Sequence, residues 1–281
     1  MKTLFAFICF YLLTIPVIAQ EDTDQALIRC YYNFSQKKNK NDKDFFSRDT
    51  LTLDIGSQIS RYYDERKIKR DSAFISVIPD ISRITSFAIL QNVESFDVFD
   101  RALGETYRSS SYNGVSEQIF KNRKTGNITM LNTAGTTSTE WYKGNDPIGT
   151  LNWTIESDTA EFLNYTCQKA VLKFRGRDYE AWFAPQIPVN DGPWKFFGLP
   201  GLILKVKDTD GQFDFECIGL EHLNAPYTIN IPEKKYFECN RNDYNKVMSK
   251  RSGGMVVNIK GSAVMIAHVK ADPSIQAIEL E

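Results

Sequence analysis

Histidine is nearly absent: the 281-residue chain contains only His222 and His268, which lie far apart in the sequence. A serine hydrolase of the triad type needs a histidine base close to its nucleophile, and neither histidine lies beside a nucleophile-elbow pattern. A zinc site needs cysteine or histidine ligands at short spacing, and no pair of these residues has that spacing. The sequence therefore predicts no catalytic residues of the triad type, no metal site and no cofactor.

Cysteine is also scarce, with five in the whole chain, and Cys9 lies in an apolar run near the amino terminus. The other four are Cys30, Cys167, Cys217 and Cys239, and four cysteines allow three pairings. Cys167 lies in a segment predicted as a β-strand. We predict that any disulfide includes Cys167, with Cys217 or Cys239 as its partner; the alternative is that some of these side chains are buried free thiols.

Long apolar runs are missing beyond residues 4–18, which follow Lys2 and precede a polar stretch that begins at Gln20. The run is shorter than the roughly 20 residues that a membrane-spanning helix needs. Val17-Ile18-Ala19 supplies the small-residue pattern that a signal peptidase recognises. We therefore predict that residues 1–19 are a cleaved secretory signal. The mature chain is then periplasmic or secreted, begins at Gln20, and has no transmembrane segment.

An excess of basic charge is missing as well. The signal contains one of the 34 basic residues and none of the 35 acidic residues, so the mature chain carries 33 minus 35, a net charge of −2. Nucleic-acid binding needs a basic footprint, so we predict no nucleic-acid partner. Aromatic residues make up 13% of the chain, which predicts an ample core. Because β domains of this size are commonly undivided, we expect residues 20–281 to form a single β-rich domain.

Residues 115–221 alternate apolar and polar side chains between short turns that contain Gly or Asp. Three of these turns, at Gly126-Asn127, Gly176 and Asp210-Gly211, are typical of β-hairpins. The pattern predicts a mainly β fold in which an antiparallel meander forms a curved open sheet, a half-barrel or a sandwich. One or two short helices accompany the sheet.

The regions on either side of residues 115–221 have less regular sequence patterns. Residues 26–34 and 50–55 read as strands, whereas the charged stretch from Ser57 to residue 74 is predicted as a helix. A second helix is predicted over residues 240–251, followed by one or two closing strands over residues 255–269. Residues 80–114 fit neither periodicity.

Residues 182–203 are rich in proline, glycine and aromatic side chains. In the stretch from Leu199 to Leu202, proline followed by glycine predicts a type II turn with Gly201 at positive φ. Trp182, Trp194, Phe196 and Phe197 are candidates to line an apolar or sugar-binding groove, and the alternative is that they belong to the core. Bends on both sides of Trp194 favour a position at a sheet end.

The string Gly198-Leu199-Pro200-Gly201-Leu202-Ile203 resembles the signature of the GLPGLI family of the Bacteroidota. Agreement with the family pattern is strongest over residues 145–222. Further matching strings are Trp153-Thr154-Ile155, Tyr165-Thr166-Cys167, Phe174-Arg175-Gly176-Arg177, Ala181-Trp182, Gly192-Pro193 and Ile278-Glu279-Leu280-Glu281. The resemblance implies an exported envelope protein, and it implies no reaction because the family has no established general activity.

Two functions remain open from the sequence. The first is a non-catalytic envelope module that binds an apolar or peptide-like ligand, a lipid or an envelope protein. The second is a carboxylate-dependent hydrolase on a β scaffold, since acidic residues are plentiful. Asp178 with Glu180, and Asp214 with Glu216, each share one sheet face, which is typical of a solvated surface. Two carboxyl groups that converge in a cleft favour the enzyme, and an aromatic groove without them favours binding.

Overall fold

The protein is described by a computed structural model over residues 23–37, 46–69, 87–89, 115–133, 140–249, 253–259, 262–269 and 278–279. The predicted secretory signal, its cleavage point before Gln20 and most of the unassigned segment 80–114 lie outside these residues. No helix in this part of the chain is both long enough and apolar enough to cross a membrane.

The described residues are mainly β-strand. In chain order the strands are β1 (Asp24–Gln25), β2 (Ile28–Lys37), β3 (Phe46–Ile55), β4 (Ile59–Tyr63), β5 (Phe87–Ile89), β6 (Gln118–Asn122), β7 (Asn127–Thr133), β8 (Trp141–Pro147), β9 (Thr154–Phe162), β10 (Tyr165–Phe174), β11 (Arg177–Ala184), β12 (Leu202–Asp208), β13 (Phe213–His222), β14 (Thr228–Ile229), β15 (Tyr236–Asn240), β16 (Gly253–Ile259) and β17 (Ser262–Val269). Helix α1 spans Arg241–Ser249, and a shorter helical stretch covers residues 65–69.

Twelve strands form one sheet in the order β15-β8-β7-β6-β4-β3-β2-β13-β12-β11-β10-β9. All neighbours in it are antiparallel except β15 and β8. The sheet does not close, because β15 and β9 are its two separate ends. This architecture confirms the predicted open antiparallel meander. Smaller sheets pair β1 with β14, and β17 with β16 and β5.

The core lies against one face of the large sheet, where alternate residues of the strands are buried. In β11, for example, Tyr179, Ala181 and Phe183 are buried, while Trp182 points to the opposite face. The connection between β11 and β12, residues 185–201, packs into this core; we call it the core segment. The backbone N–H of Ile203 donates to the carbonyl of Asp191 at 2.9 Å, which ties β12 back to the core segment.

Hairpins and one helix form where the sequence predicted them. β6–β7, β10–β11 and β12–β13 are antiparallel neighbours joined by the three predicted turns. At the β10–β11 turn Arg175 and Gly176 both have positive φ, 51° and 75°, as type I′ turns require. Helix α1 begins after Asn240, whose side-chain oxygen accepts from the Asp243 N–H at 3.0 Å as an N-cap.

The helix predicted from Ser57 is wrong over its first half. Residues Ile59–Tyr63 form β4, with four of the five side chains buried, and this strand pairs with β3 and β6. The helical residues described there are 65–69, after Asp64, whose carboxylate accepts from the Lys67 N–H at 2.9 Å. Pairing with two neighbours and burial of both faces outweigh the local helix signal.

The predicted type II turn at Gly201 is also wrong. Gly201 does not have positive φ; its N–H instead donates to the Leu199 carbonyl at 2.8 Å across a three-residue turn. A Cβ atom at Gly201 would lie 2.3 Å from the carbonyl oxygen of Ala184. Glycine is needed here because two backbone segments approach closely, and not because the turn is left-handed.

Candidate functional site

The core segment holds Trp194 in an uncommon backbone conformation. Its φ is 49°, a region that non-glycine residues seldom adopt. The Phe196 N–H donates to the Pro193 carbonyl at 3.0 Å and closes a tight turn around Trp194 and Lys195. Surrounding contacts must fix this turn, because a left-handed residue of this size carries backbone strain.

Aromatic rings supply many of those contacts. Phe196 is fully buried and packs edge-on against Tyr179 at 4.8 Å and against Trp194 at 5.2 Å between ring centroids. The Trp153 indole N–H donates to the Phe197 carbonyl at 2.9 Å. Trp194, Phe196 and Phe197 therefore lie together in the core segment with all three side chains buried, and their role in binding stays a prediction.

A buried lysine fastens the core segment to β6. The ammonium group of Lys121 lies 2.5 Å from the Asp191 carboxylate and also donates to the backbone carbonyls of Gly192 and Phe196. Arg123 reaches the same carboxylate at 2.6 Å. Burial favours a raised pKa at Asp191, but the charges of Lys121 and Arg123 outweigh burial and the net pKa shift is downward. Asp191 is therefore an ionised anchor.

A second charged cluster lies beside Trp194. Lys195 is buried and contacts Asp146 at 2.9 Å and Glu279 at 2.5 Å. Arg175 pairs with Asp146 at 2.7 Å, and Arg241 of α1 pairs with Glu279 at 2.8 Å. Burial opposes ionisation of Glu279, but the two cations lower its pKa overall. The cluster therefore joins the core segment, β8, α1 and residues 278–279.

An apolar cavity of about 230 Å³ lies next to Trp194; we call it the Trp194 cavity. Six aromatic side chains contribute to its wall: Phe34, Tyr62, Tyr63, Trp194, Phe213 and Phe215. Leu51, Val115, Ile119 and Ile278 add aliphatic surface, and Gln36 and Glu117 are the polar residues. Small-molecule sites have this composition, with an apolar wall and few polar groups.

Tyr62 is the polar feature of this wall that stands out. Its side chain is 3% exposed, yet within the described part of the chain its hydroxyl group has no hydrogen-bond partner. Burial raises its pKa well above the ordinary value, so the hydroxyl is protonated and able to donate. A buried hydroxyl without a partner costs about 1–3 kcal/mol, which a ligand that accepts its hydrogen bond recovers.

A second cavity of about 270 Å³ lies on the Lys195 side and shares Trp194, Glu117 and Ile278 with the first. We call it the Lys195 cavity. More of its lining residues are polar, because Asn245, Ser249 and Glu279 join Lys195 there. Two carboxylates, Glu117 and Glu279, thus line one cavity, but Glu279 is held by two cations. Among the described residues no group of three or more acidic, histidine or cysteine side chains could hold a metal ion.

Trp182 lies away from both cavities. It faces the opposite side of the sheet, 5.9 Å from the ring of Phe162, and its indole N–H donates to Glu180 at 3.2 Å. Lysine and acidic side chains alternate across the strands around it. The pairs of this outer ladder are Lys169 with Glu156 and Glu180, Lys207 with Glu180, and Lys205 with Asp214 and Glu216.

The four cysteines, all in the described part of the chain, are free thiols in this structure. The Cys167 thiol lies within hydrogen-bond reach of the Tyr165 carbonyl at 3.6 Å, and the Cys239 thiol reaches the Lys143 carbonyl at 3.8 Å. The inclusion of Cys167 in any disulfide stays a prediction. On β2, the pKa of Cys30 is raised by the neighbouring Cys217 thiol of β13, a pair that the sequence prediction left out.

Sequence reasoning missed the residues that position the core segment. Lys121, Lys195 and Asp146 were not singled out, although each stands among residues that the structure buries. A lysine inside an apolar strand, as in Ile119-Phe120-Lys121, or between aromatic residues, as in Trp194-Lys195-Phe196, was the available signal. A buried cation needs a partner, so such a lysine predicts an ion pair across the core.

Comparisons with known proteins agree with this fold and leave the activity open. A family described as "Protein of unknown function (Porph_ging)" matches residues 175–205, and this family is associated with the Bacteroidota. No curated protein sequence matches the chain. Two solved structures of PNGF-II, in space groups P21 and C2, align with TM-scores of 0.50 and 0.51.

The PNGF-II alignments have 16% sequence identity in both cases and cover 83% and 84% of this chain. The chain spans 35% of PNGF-II in each. At this identity the likeness concerns the fold alone. The family match includes β11, the core segment and the start of β12, the region that carries Trp194.

Proposed function

We propose that this protein is an exported, non-catalytic binding module whose ligand is a small apolar molecule with one hydrogen-bonding group, held in the Trp194 cavity. One observation carries the proposal. An aromatic wall borders an apolar cavity of about 230 Å³, and on that wall Tyr62 keeps a buried hydroxyl without a partner among the described residues. The apolar surface supplies binding affinity, and the Tyr62 hydroxyl orients the ligand through a hydrogen bond.

The volume sets the size of the ligand. An engineered apolar cavity of about 150 Å³ binds benzene, which has six carbon atoms. In proportion, the Trp194 cavity accommodates about nine non-hydrogen atoms. Burial of an apolar group of this size contributes about 25 cal/mol for each Å² removed from water, before the cost of association. The proposed ligand is therefore a single ring or short chain that ends in a hydroxyl or carbonyl group.

The carboxylate hydrolase is the second candidate, since Glu117 and Glu279 both line the Lys195 cavity. A pair of this kind works when one carboxyl group is protonated near neutral pH and serves as a general acid. The cations around Glu279 lower its pKa, which removes it from that role. Replacement of Glu117 by Gln abolishes any such activity on a panel of nitrophenyl esters and glycosides if the hydrolase is correct.

Binding is tested with two probes of equal size. Propylbenzene and 2-phenylethanol each have nine non-hydrogen atoms and differ in a terminal methyl or hydroxyl group. Calorimetric titration of the purified protein should detect binding of both probes. After correction for its solubility in water, 2-phenylethanol should bind more tightly than propylbenzene. Tyr62→Phe should remove this preference, which corresponds to about 0.5–1.5 kcal/mol for one hydrogen bond.

Tyr32→Phe is the matched control. Tyr32 is buried nearby, 6.3 Å from the Tyr62 ring, but its hydroxyl donates to the Ile203 carbonyl at 2.7 Å and its side chain does not line the Trp194 cavity. This variant should unfold at a lower urea concentration and keep the wild-type preference between the probes. Absence of binding for both probes contradicts the proposed function.

Export is part of the proposal and rests on residues 1–19 and on the family resemblance. Intact-mass measurement of the protein from its native host should give a chain that begins at Gln20. Retention of residues 1–19 contradicts it.

A further inference from the structure

A bulge in β13 lies beside two buried cysteines of neighbouring strands. Cys217 pairs with Tyr32 on β2, Gly219 pairs with Tyr31, and Ile218 between them has no partner in the ladder. The next pair along is Leu220 with Cys30. Cys30 and Cys217 are both buried, at 0% and 3% exposure; the register places them on one face of the two strands, and the neighbouring Cys217 thiol raises the pKa of Cys30.

Cys167 and Cys239 lie on other strands. Their thiols reach the backbone carbonyl groups of Tyr165 and Lys143, as the Cys217 thiol reaches that of Gly219 at 3.4 Å. Cys167 is on β10, which two strands separate from β13 in the sheet, and Cys239 is on the edge strand β15. Neighbouring strands and a shared buried face therefore distinguish Cys30 and Cys217 from the other two.

We propose that Cys30 and Cys217 form a disulfide bond when the chain folds in the presence of a thiol–disulfide oxidant. The two side chains share a buried face of neighbouring strands, and formation of a bond of about 2.05 Å between their sulfur atoms needs a local shift of the chain. The bulge provides it, because a bulged strand bends and twists more than a regular one. The resulting bond joins β2 to β13 across the point where their ladder is interrupted.

The chemistry is two successive exchange reactions. The thiolate of one cysteine attacks the disulfide of the oxidant, forms a mixed disulfide and displaces one oxidant sulfur as a thiolate. The thiolate of the other cysteine then attacks the first cysteine's sulfur and displaces the second oxidant sulfur. The chain loses two electrons and two protons, and the oxidant is reduced to two thiols. Because both side chains end up buried, the first exchange occurs before β2 and β13 pack together, and the second occurs as the two strands pair.

The bond has a consequence for the Trp194 cavity. Phe34 of β2 stacks on Phe215 of β13 with 4.7 Å between ring centroids, and both rings form part of the cavity wall. A covalent link between the same two strands fixes the spacing of these rings. The inference nevertheless does not depend on the proposed ligand, since it concerns the thiols alone.

Peptide mapping of the wild-type protein tests the inference. The mature chain is denatured and reduced, refolded in a mixture of oxidised and reduced glutathione, and treated with iodoacetamide before digestion without reductant. We expect a linked peptide pair that contains Cys30 and Cys217, with Cys167 and Cys239 alkylated. A linked peptide that contains Cys167, or alkylation of both Cys30 and Cys217, overturns the inference.

Matched variants measure the effect of the bond. After the same oxidative refolding, Cys30→Ser should lose the cross-link, and its urea midpoint should not change when reductant is added. Cys167→Ser should keep the cross-link, and reductant should lower its midpoint as in the wild type. Equal sensitivity of Cys30→Ser and wild type to reductant contradicts the assignment.

Discussion

The two faces of the sheet use the same residue types for different purposes. On the core side, Lys121 is 1% exposed and donates to two backbone carbonyls of the core segment besides its pair with Asp191. On the outer side, Lys207 is 46% exposed and pairs with the carboxylate of Glu180 at 3.2 Å. A hydrated pair contributes little to stability, whereas a buried pair that loses one member leaves a costly charge. Position relative to water, and not residue type, therefore determines which ion pairs hold the fold.

The largest expected effect comes from Asp191→Asn. This change leaves Lys121 and Arg123 buried without the carboxylate that neutralises them, so we expect the free energy of unfolding to fall by about 3–5 kcal/mol. Urea denaturation followed by tryptophan fluorescence measures it. Asp178→Asn is the outer-face control, with a side chain that is 61% exposed, and should change stability by less than about 0.5 kcal/mol. Similar losses in both variants contradict the comparison.

Gly201→Ala is expected to have the next largest effect. The added methyl group would lie 2.3 Å from the Ala184 carbonyl oxygen, and the core segment must shift to admit it. Overpacking of this kind costs about 1–3 kcal/mol. Gly201→Asn should be at least as destabilising, because the obstacle is a neighbouring backbone and not the sign of φ. If the unfolding midpoint of Gly201→Asn equals that of wild type, close approach does not explain this glycine.

Acid should weaken the core-side charged cluster around Glu279. The pKa of Glu279 is lowered in the folded protein, so its stabilising contribution is present above the pKa of the unfolded chain, about 4.3. It is lost as the pH falls through the lower folded-state pKa. We expect the free energy of unfolding to decrease below about pH 4.5, and Glu279→Gln to reduce that slope. An unchanged slope in this variant would place the acid-sensitive group elsewhere.

The smallest effect is expected for Lys207→Met on the outer ladder. An exposed pair of this type contributes about 0–1 kcal/mol, and salt screens it. The difference in free energy of unfolding between this variant and wild type should shrink in 0.5 M sodium chloride, because the Debye length there is only about 4 Å. A loss as large as that of Asp191→Asn would show that the outer ladder also holds the fold.

The strands and hairpins were predictable because their signals are local. Gly176 and Gly211 adopt the positive φ that their turns suggested, at 75° and 64°. The Ser57 helix failed for the opposite reason. Residues Ile59–Tyr63 pair with β3 and β6, and contacts of this kind depend on segments that lie far away in the sequence.

The aromatic group of the site was predicted in part. Trp194, Phe196 and Phe197 belong to one short segment, so proximity in sequence sufficed to group them. Trp182 was added to this group although it is one residue before Phe183, which points inward; period-2 alternation already places the two on opposite faces. The partner positions of Lys121 and Tyr62 could not be predicted, because the cavity is built from strands that meet only in the folded sheet.

Strand β2 determines how the chain reaches this structure. It pairs on one side with β3, close in sequence, and on the other with β13, where Ile28 lies opposite His222. The strands from β9 to β13 can assemble through nearest-neighbour hairpins, but the union of the two halves must wait until Phe213–His222 is present. Contacts between such distant residues slow folding, because a long loop must close before they form. We therefore expect the joining of β2 to β13 to be the rate-limiting step of folding. This late step also completes the burial of the core segment.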